Sequence, residues 1–203
     1  TQKTQTPATA DKLRDWLLYT GRFIESFEEF VQALGVSIRA FGYPVDRLNL
    51  GVYILHPEIA GVAFQWRYET GEVLMVPVEH GDLDEPIYTE SPIRSVVESR
   101  IPLRVDVRDA EAGAAFPVID EFRRDGVTGY LAMPLAGGSG RMNVWSVTTK
   151  NDAGFTDAHW QDLQGFSIYL SLVVDYLAVQ WLSGVLMQVY LGRRTGARVL
   201  RGQ

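Results

Sequence analysis

The stretch Gly129–Thr149, GYLAMPLAGGSGRMNVWSVTT, predicts a β-hairpin and with it the core of the fold. Two apolar segments, 129–135 and 143–149, flank the turn-forming run Ala-Gly-Gly-Ser-Gly, as is typical of two buried strands joined by a tight loop. N-terminal to this hairpin, alternating or continuous apolar runs predict four further strands at 48–56, 61–68, 73–78 and 101–107. The sequence therefore predicts an antiparallel sheet.

Helical periodicity flanks these strands on both sides. Apolar residues recur at three- and four-residue steps from Asp11 to Phe41, which predicts an amphipathic helix broken near Gly21. Residues 156–190 predict a second helix of about 35 residues. Shorter helices are predicted at 93–99, after the capping pair Ser-Pro, and at 116–125, whereas the acidic, turn-rich residues 79–90 predict a mobile loop. We expect an α+β fold with the terminal helices on one sheet face and short helices and loops over the other.

The composition excludes several classes of function. A net charge of −6 argues against a nucleic-acid surface. With no cysteine there is no disulfide, no thiolate nucleophile, no Cys-ligated zinc and no thioether-linked chromophore. The three histidines, His56, His80 and His159, have no metal-ligand spacing, and the motifs of phosphate-binding loops, zinc proteases and serine hydrolases are missing. We therefore predict no catalytic residue, no metal site and no cofactor.

The chain divides into four regions by composition. Residues 1–10 are polar and predict a disordered tail without a secretion signal, followed by a folded domain at 11–155 that begins with the helical region 11–41. The long helix at 156–190 comes next. Residues 191–203 carry four arginines and no acid, which is typical of a junction with a further domain. A cytoplasmic location fits these features.

Aromatic residues on the predicted strands suggest a ligand pocket. Rings with polar tips can line a site for a planar ligand, although each ring taken singly fits a core position equally well. We predict that Trp66 and Tyr130 line a pocket on the sheet face away from the terminal helices. Arg94, at the start of a short helix, would add an anion-binding group. The predicted ligand-binding set is His56, Trp66, Tyr68, Arg94, Tyr130 and Trp145.

The long helix carries two apolar stripes. The first has coiled-coil spacing and predicts a dimer seam at Leu163, Phe166, Leu170, Val173 and Leu177; the second comprises Tyr169, Leu172, Tyr176, Val179 and Leu186. One stripe can pack on the sheet while the other packs on a partner chain, and an ordinary core helix is an equal alternative for the first half of the first stripe. A membrane span is the alternative, because 166–191 is nearly free of charge, but Asp175 is costly inside a bilayer. We predict a parallel homodimer. Gln180 and Gly184 interrupt the seam, and we hypothesise that they allow the two helices of the dimer to switch between two pairings.

Several motifs together resemble a known family. In chain order they are LHP at 55–57, Trp66, SPI at 91–93, FPVIDEFRRDGVTGYLAMPL at 116–135, AGFTDA at 153–158 and YLGRRTGARVLRGQ at 190–203. This series resembles a GAF domain, and more narrowly the GAF-like region upstream of the catalytic domain in bacterial class III adenylate cyclases.

The resemblance implies a regulatory sensor that controls cyclic AMP synthesis by a downstream domain through the pairing of two helices. The catalytic domain of such a cyclase is not within these residues, so the chain by itself is not expected to be an enzyme. A cyclic-nucleotide ligand is not indicated, because the expected Asn-Lys pair is reversed at Lys150-Asn151. Two alternatives are a ligand-free dimerisation module and a small enzyme, such as a reductase, on the same scaffold.

Overall fold

The computed structural model describes residues 9–54, 59–138 and 142–200. Its centre is a six-stranded antiparallel sheet with the strand order β3-β2-β1-β6-β5-β4. The strands are β1 (Arg47–Tyr53), β2 (Ile59–Arg67), β3 (Val73–Glu79), β4 (Leu103–Asp106), β5 (Gly129–Ala136) and β6 (Met142–Thr149). The α+β fold and its antiparallel sheet are confirmed, and the hairpin expected at 129–149 forms β5 and β6.

Three helices cover one face of the sheet, namely α1 (Thr9–Tyr19), α2 (Phe27–Ala40) and α7 (Asp157–Leu200). The break expected near Gly21 is a 3₁₀ turn at Gly21–Phe23. A new helix then begins because the Ser26 hydroxyl accepts a hydrogen bond from the Glu29 amide, 3.1 Å away. The N-terminal helical region is therefore two helices joined at an angle.

The register of the sheet decides which side chains face these helices. Leu48 on β1 lies opposite Trp66 on β2 and Val147 on β6, and all three are buried beneath the helices. The ring of Trp66 lies directly against Gly35 of α2, where a Cβ atom would come within 2.3 Å of an indole carbon. Helix α2 therefore lies closer to the sheet than any side chain at position 35 would allow.

Four short helices lie over the opposite face: α3 (Pro86–Thr89), α4 (Pro92–Ser99), α5 (Ala110–Ala115) and α6 (Val118–Arg124). The cap predicted for α4 is present, since the Ser91 hydroxyl accepts from the Arg94 amide at 3.1 Å. Residues 79–90, predicted as an irregular loop, hold a 3₁₀ turn and α3 instead. Helix α3 forms because Pro86 stands at its first position, where the fixed proline φ suits a helix.

Helix α7 extends beyond its predicted end at 190 and continues through most of the segment predicted as a linker. Its portion Asp157–Ser183 is long and apolar enough to cross a membrane by length and composition alone. One side of that portion, however, is packed on the protein's own sheet, so the core accounts for much of its apolar character.

The predicted dimer seam is wrong for the same reason. Its five residues are buried against the sheet within this chain and are at most 7% exposed: Leu163, Phe166, Leu170, Val173 and Leu177. Because the sheet already occupies that side of α7, a partner chain cannot reach it. The second stripe behaves differently, since Tyr169, Leu172, Tyr176 and Val179 are exposed along the opposite side.

Candidate functional site

A cavity of about 730 Å³ lies between the sheet and the short helices. Its floor is the sheet face turned away from α1, α2 and α7, and its roof comes from the 3₁₀ turn at Gly81–Asp84 and from α3, α4 and α6. The roof side chains are mainly apolar: Leu83, Ile87, Tyr88, Ile93, Val97, Val118 and Phe122. This volume lies within the range of small-molecule sites.

Two rows of polar side chains cross the floor at one end. In the first row, Asn49 of β1 pairs with Gln65 of β2 and with Ser146 of β6. In the second, Thr148 of β6 lies between Arg47 of β1 and Tyr130 of β5. These residues share one face because antiparallel partners point to the same side of a sheet. Four strands, β1, β2, β5 and β6, thus build one polar surface.

The other end of the floor is apolar and nearly flat. Gly51 on β1 lies between Ala63 on β2 and Val144 on β6. In the next row along the strands, Tyr53 on β1 lies opposite Gly61 on β2. A Cβ atom at Gly51 would approach Cγ1 of Val144 to 3.1 Å, whereas glycine leaves the floor open. The cavity is therefore polar at the Arg47 end and apolar at the Tyr53 end.

The polar end contains groups whose charge and hydrogen bonding are incompletely matched within the described chain. Burial lowers the pKa of Arg47, and the positive charge of nearby Arg67 lowers it further. The Asp125 carboxylate, 3.7 Å from the Arg47 guanidinium, acts in the opposite direction and raises this pKa. The Oδ1 atom of Asn49 is buried and accepts no hydrogen bond from the part of the chain that the structure describes. Burial raises the pKa of Tyr130, opposed by a hydrogen bond with Ser146, so this phenol stays neutral at physiological pH.

Of the five predicted ligand-binding residues that the structure describes, only Tyr130 lines this cavity. Its contact with a ligand stays a prediction. Trp66 and Trp145 were predicted here wrongly, because both lie in the core beneath the terminal helices. Trp145 Nε1 donates to Ser167 on α7 at 2.8 Å, which holds that ring on the helix side. Register explains the error: Trp66 shares a row with Leu48 and Leu131, one residue out of phase with Tyr130.

The remaining predicted residues lie elsewhere. Tyr68 is half exposed at the end of the helix-covered side, where the Arg39 guanidinium lies 3.7 Å from its ring centre. Arg94 forms an ion pair with Glu98 along α4, at 2.6 Å, and does not line the cavity. His56 lies outside the described residues. None of these three is therefore placed in the site by the structure.

Five polar floor residues were missed: Arg47, Asn49, Gln65, Ser146 and Thr148. A signal for them was present, because each alternates with an apolar residue along its strand, as in the run Arg47-Leu48-Asn49-Leu50. Such alternation indicates one face against the core and another against solvent or a cavity. Sequence alone does not tell these two apart.

A chain of hydrogen bonds joins the cavity floor to the long helix. The backbone amide of Tyr53, at the apolar end of the floor, donates to Asn143 Oδ1 at 2.9 Å. The Asn143 amide lies 3.4 Å from a carboxylate oxygen of Asp175 on α7. The second carboxylate oxygen of Asp175 accepts from the Gly138 amide at 2.8 Å. Asp175 therefore fastens α7 to the end of the β5–β6 hairpin.

Among the described residues, the cavity has the features of a binding site. Within residues 9–54, 59–138 and 142–200, no three His, Asp or Glu side chains are grouped so that they could hold a metal ion. Its charged lining groups in those ranges are Arg47, Asp82 and Glu121, which come from separate elements. The geometry suits reversible binding of a small molecule.

Solved structures with similar folds are GAF domains. The GAF domain of a phosphoenolpyruvate-protein phosphotransferase from Coxiella burnetii matches with a TM-score of 0.60 and 15% identity, covering 85% of this chain and 96% of that one. The equivalent domain from Acinetobacter gives 0.57 and 15%, covering 86% and 97%. The phycocyanobilin-bound GAF domain of a cyanobacterial phytochrome gives 0.56 and 13%, covering 86% and 98%. This chain has the GAF fold.

No protein-family model and no curated protein matches the sequence significantly.

Proposed function

We propose that this chain is a regulatory sensor domain that binds a small molecule in the sheet cavity and controls an adenylate cyclase domain downstream of it. The observation that carries the proposal is the cavity itself, with a polar end and an apolar end inside a GAF fold. A ligand-free dimerisation module would have no need of a cavity of about 730 Å³. The GAF domains with similar folds come from a phosphotransferase and a phytochrome, and the latter holds a bound chromophore.

The identity of the output domain rests on the sequence series from 55 to 203, which resembles the region upstream of class III cyclase domains. The location that suits such a protein is the cytoplasm. Enzymatic activity on the sensor scaffold itself is the weaker alternative, since the sequence has no cysteine to act as a nucleophile.

We further propose that the domain works as a parallel homodimer through the exposed side of α7. Side chains along that side are between 37% and 69% exposed: Ile168, Tyr169, Leu172, Tyr176 and Val179. A continuous apolar stripe of this kind is unfavourable in water and typical of an interface. A second copy of the same helix matches its length and its apolar character.

The signal would pass from the cavity to this interface through Asn143 and Asp175. A ligand that displaces the floor at Tyr53 would change the hydrogen bonds that hold Asp175, and with them the position of α7. Gln180, exposed on α7 and bonded to the Tyr176 hydroxyl at 3.0 Å, lies one turn further along. The switch proposed at Gln180 and Gly184 would then select between two pairings of α7 that lie close in energy.

The test of the sensor function is to fill the cavity in the full-length protein. Ala63→Phe places a ring over Gly51 in the middle of the floor, and Ala40→Phe makes the same change at an exposed position on α2. We expect Ala63→Phe to hold cyclase activity at one level with and without the regulatory stimulus, and Ala40→Phe to respond normally. The 203-residue chain alone is expected to form no cyclic AMP from ATP and magnesium.

Normal regulation in a folded Ala63→Phe protein would overturn the proposal that the cavity senses the stimulus. The double substitution Gln180→Leu with Gly184→Leu belongs in the same assay. We expect it to remove the response by favouring one helix pairing, and a full response would exclude the switch.

A further inference from the structure

The charge distribution of the cavity singles out Arg47. Its side chain is 25% exposed, and its carboxylate partner, Asp125, is 58% exposed and 3.7 Å away. The other charged lining residues, Asp82 and Glu121, are exposed and therefore lie at the rim. The carboxylate of Asp82 already accepts from the Glu79 amide. Of the described lining residues, Arg47 thus provides the only cation, and it is poorly compensated.

Neutral hydrogen-bonding groups surround this cation. Asn49 and Gln65 supply amide groups, and Ser146 and Thr148 supply hydroxyls, in the two rows next to Arg47. A partly desolvated guanidinium favours a planar anion that it can bind through two parallel hydrogen bonds, and amides and hydroxyls complete such a site. A carboxylate is the planar anion of this kind.

The charge count favours a single negative charge on the ligand. The one cation inside the cavity has Asp125 beside it and two further carboxylates at the rim, so a phosphate monoester with close to two charges would be under-neutralised. A neutral ligand, in contrast, would leave the partly buried guanidinium of Arg47 with the exposed Asp125 carboxylate, 3.7 Å away, as its anionic partner. The polar end is therefore best matched by a monocarboxylate.

The rest of the floor is suited to an extended apolar body. From Arg47 to Tyr53 the strand rises by about 20 Å, at roughly 3.3 Å per residue. Gly51 and Gly61 carry no side chain in this part of the floor, and Leu83 and Val97 are among the apolar roof residues. A hydrocarbon or an aromatic body can lie along this surface.

On the basis of the sensor function proposed above, we propose that the cavity binds an amphipathic monocarboxylic acid, with its carboxylate at Arg47 and its apolar body along Gly51 towards Tyr53. Aliphatic and aromatic acids share this chemistry.

The experiment is calorimetric titration of the 203-residue chain with octanoate, octan-1-ol and octyl phosphate, with phenylpropionate as the aromatic acid. We expect octanoate or phenylpropionate to bind at least tenfold more tightly than octan-1-ol. Arg47→Gln should abolish that preference while leaving the affinity for octan-1-ol unchanged. Arg47→Lys, which keeps the charge, should retain part of it. Arg94→Gln is the matched control, since Arg94 lies outside the cavity and is expected to leave the preference intact.

Circular dichroism verifies that each variant is folded, and Arg47→Lys replaces Arg47→Gln as the informative variant if the latter unfolds. Four results would each overturn the assignment of ligand class. They are equal affinity for acid and alcohol, tighter binding of octyl phosphate than of octanoate, an unchanged preference in Arg47→Gln, and no binding of any probe. The sensor function has its own test in Ala63→Phe. If acids bind no better than the alcohol but Ala63→Phe loses its response to the stimulus, only the proposed ligand class is refuted. If acids bind better but Ala63→Phe is regulated normally, only the sensor role is refuted.

Discussion

Gly35→Ala is expected to lower the free energy of unfolding by about 3 kcal/mol, at the upper end of what overpacking of a protein core costs. The added methyl group would come within 2.3 to 2.7 Å of three atoms of the Trp66 indole. Trp66 is 1% exposed and packed between α2 and the sheet, so its ring cannot move aside without displacing the core. Urea unfolding followed by tryptophan fluorescence measures the effect.

Gly165→Ala is the matched control, because it makes the same chemical change in the helix α7. A Cβ atom at Gly165 meets nothing within 4 Å, and alanine is the better helix former by about 1 kcal/mol. We expect this substitution to raise the free energy of unfolding when both variants are measured at one protein concentration. Equal effects at the two positions would show that the close approach of α2 to Trp66 is not a feature of the folded protein.

The double substitution Leu172→Glu with Val179→Glu is expected to convert the proposed homodimer into a monomer. Both residues are about two-thirds exposed on the free side of α7, so the folded domain accepts glutamate there. In a parallel dimer the four new carboxylates would lie close together in an apolar interface, where burying like charges is costly. We expect the dissociation constant to rise at least 100-fold, which corresponds to about 2.7 kcal/mol.

Light scattering on a sizing column gives the mass of each variant at tens of micromolar. Ile101→Glu is the control, since Ile101 is equally exposed but lies between α4 and β4, away from α7. We expect the wild type and Ile101→Glu to elute as dimers and the double variant as a folded monomer. A monomeric wild type would contradict the homodimer, and a dimeric double variant would place the interface elsewhere.

The elements of the fold follow from local features of the sequence. The run 129–149 becomes a hairpin because its glycine-rich turn separates two apolar segments, and Ser91 caps α4 because its hydroxyl reaches the amide three residues on. Periodicity also marked the break near Gly21 and the helical character of residues 156–190. These features need only neighbours within a few residues, so they are readable without a structure.

The face on which each residue lies depended on the tertiary structure. Trp66 and Tyr130 both have the character of pocket-lining rings, yet the pairing of β2, β1, β6 and β5 puts them on opposite sides of the sheet. The stripe from Leu163 to Leu177 has coiled-coil spacing, but it is packed against the sheet of the same chain, so no partner helix can contact it. A hydrophobic pattern states that a face is buried and does not state by what.

The candidate site shows most clearly which features are local to the sequence and which arise from the tertiary structure. Arg47 and Asn49 alternate with leucines in the sequence, and this alternation already indicates that one face of β1 is polar. Only the folded chain brought Gln65 and Ser146 beside them, from strands about 16 and 97 residues further along, and covered the row with short helices. Register and coverage arise from contacts between distant segments, and a single sequence holds no local signal for such contacts.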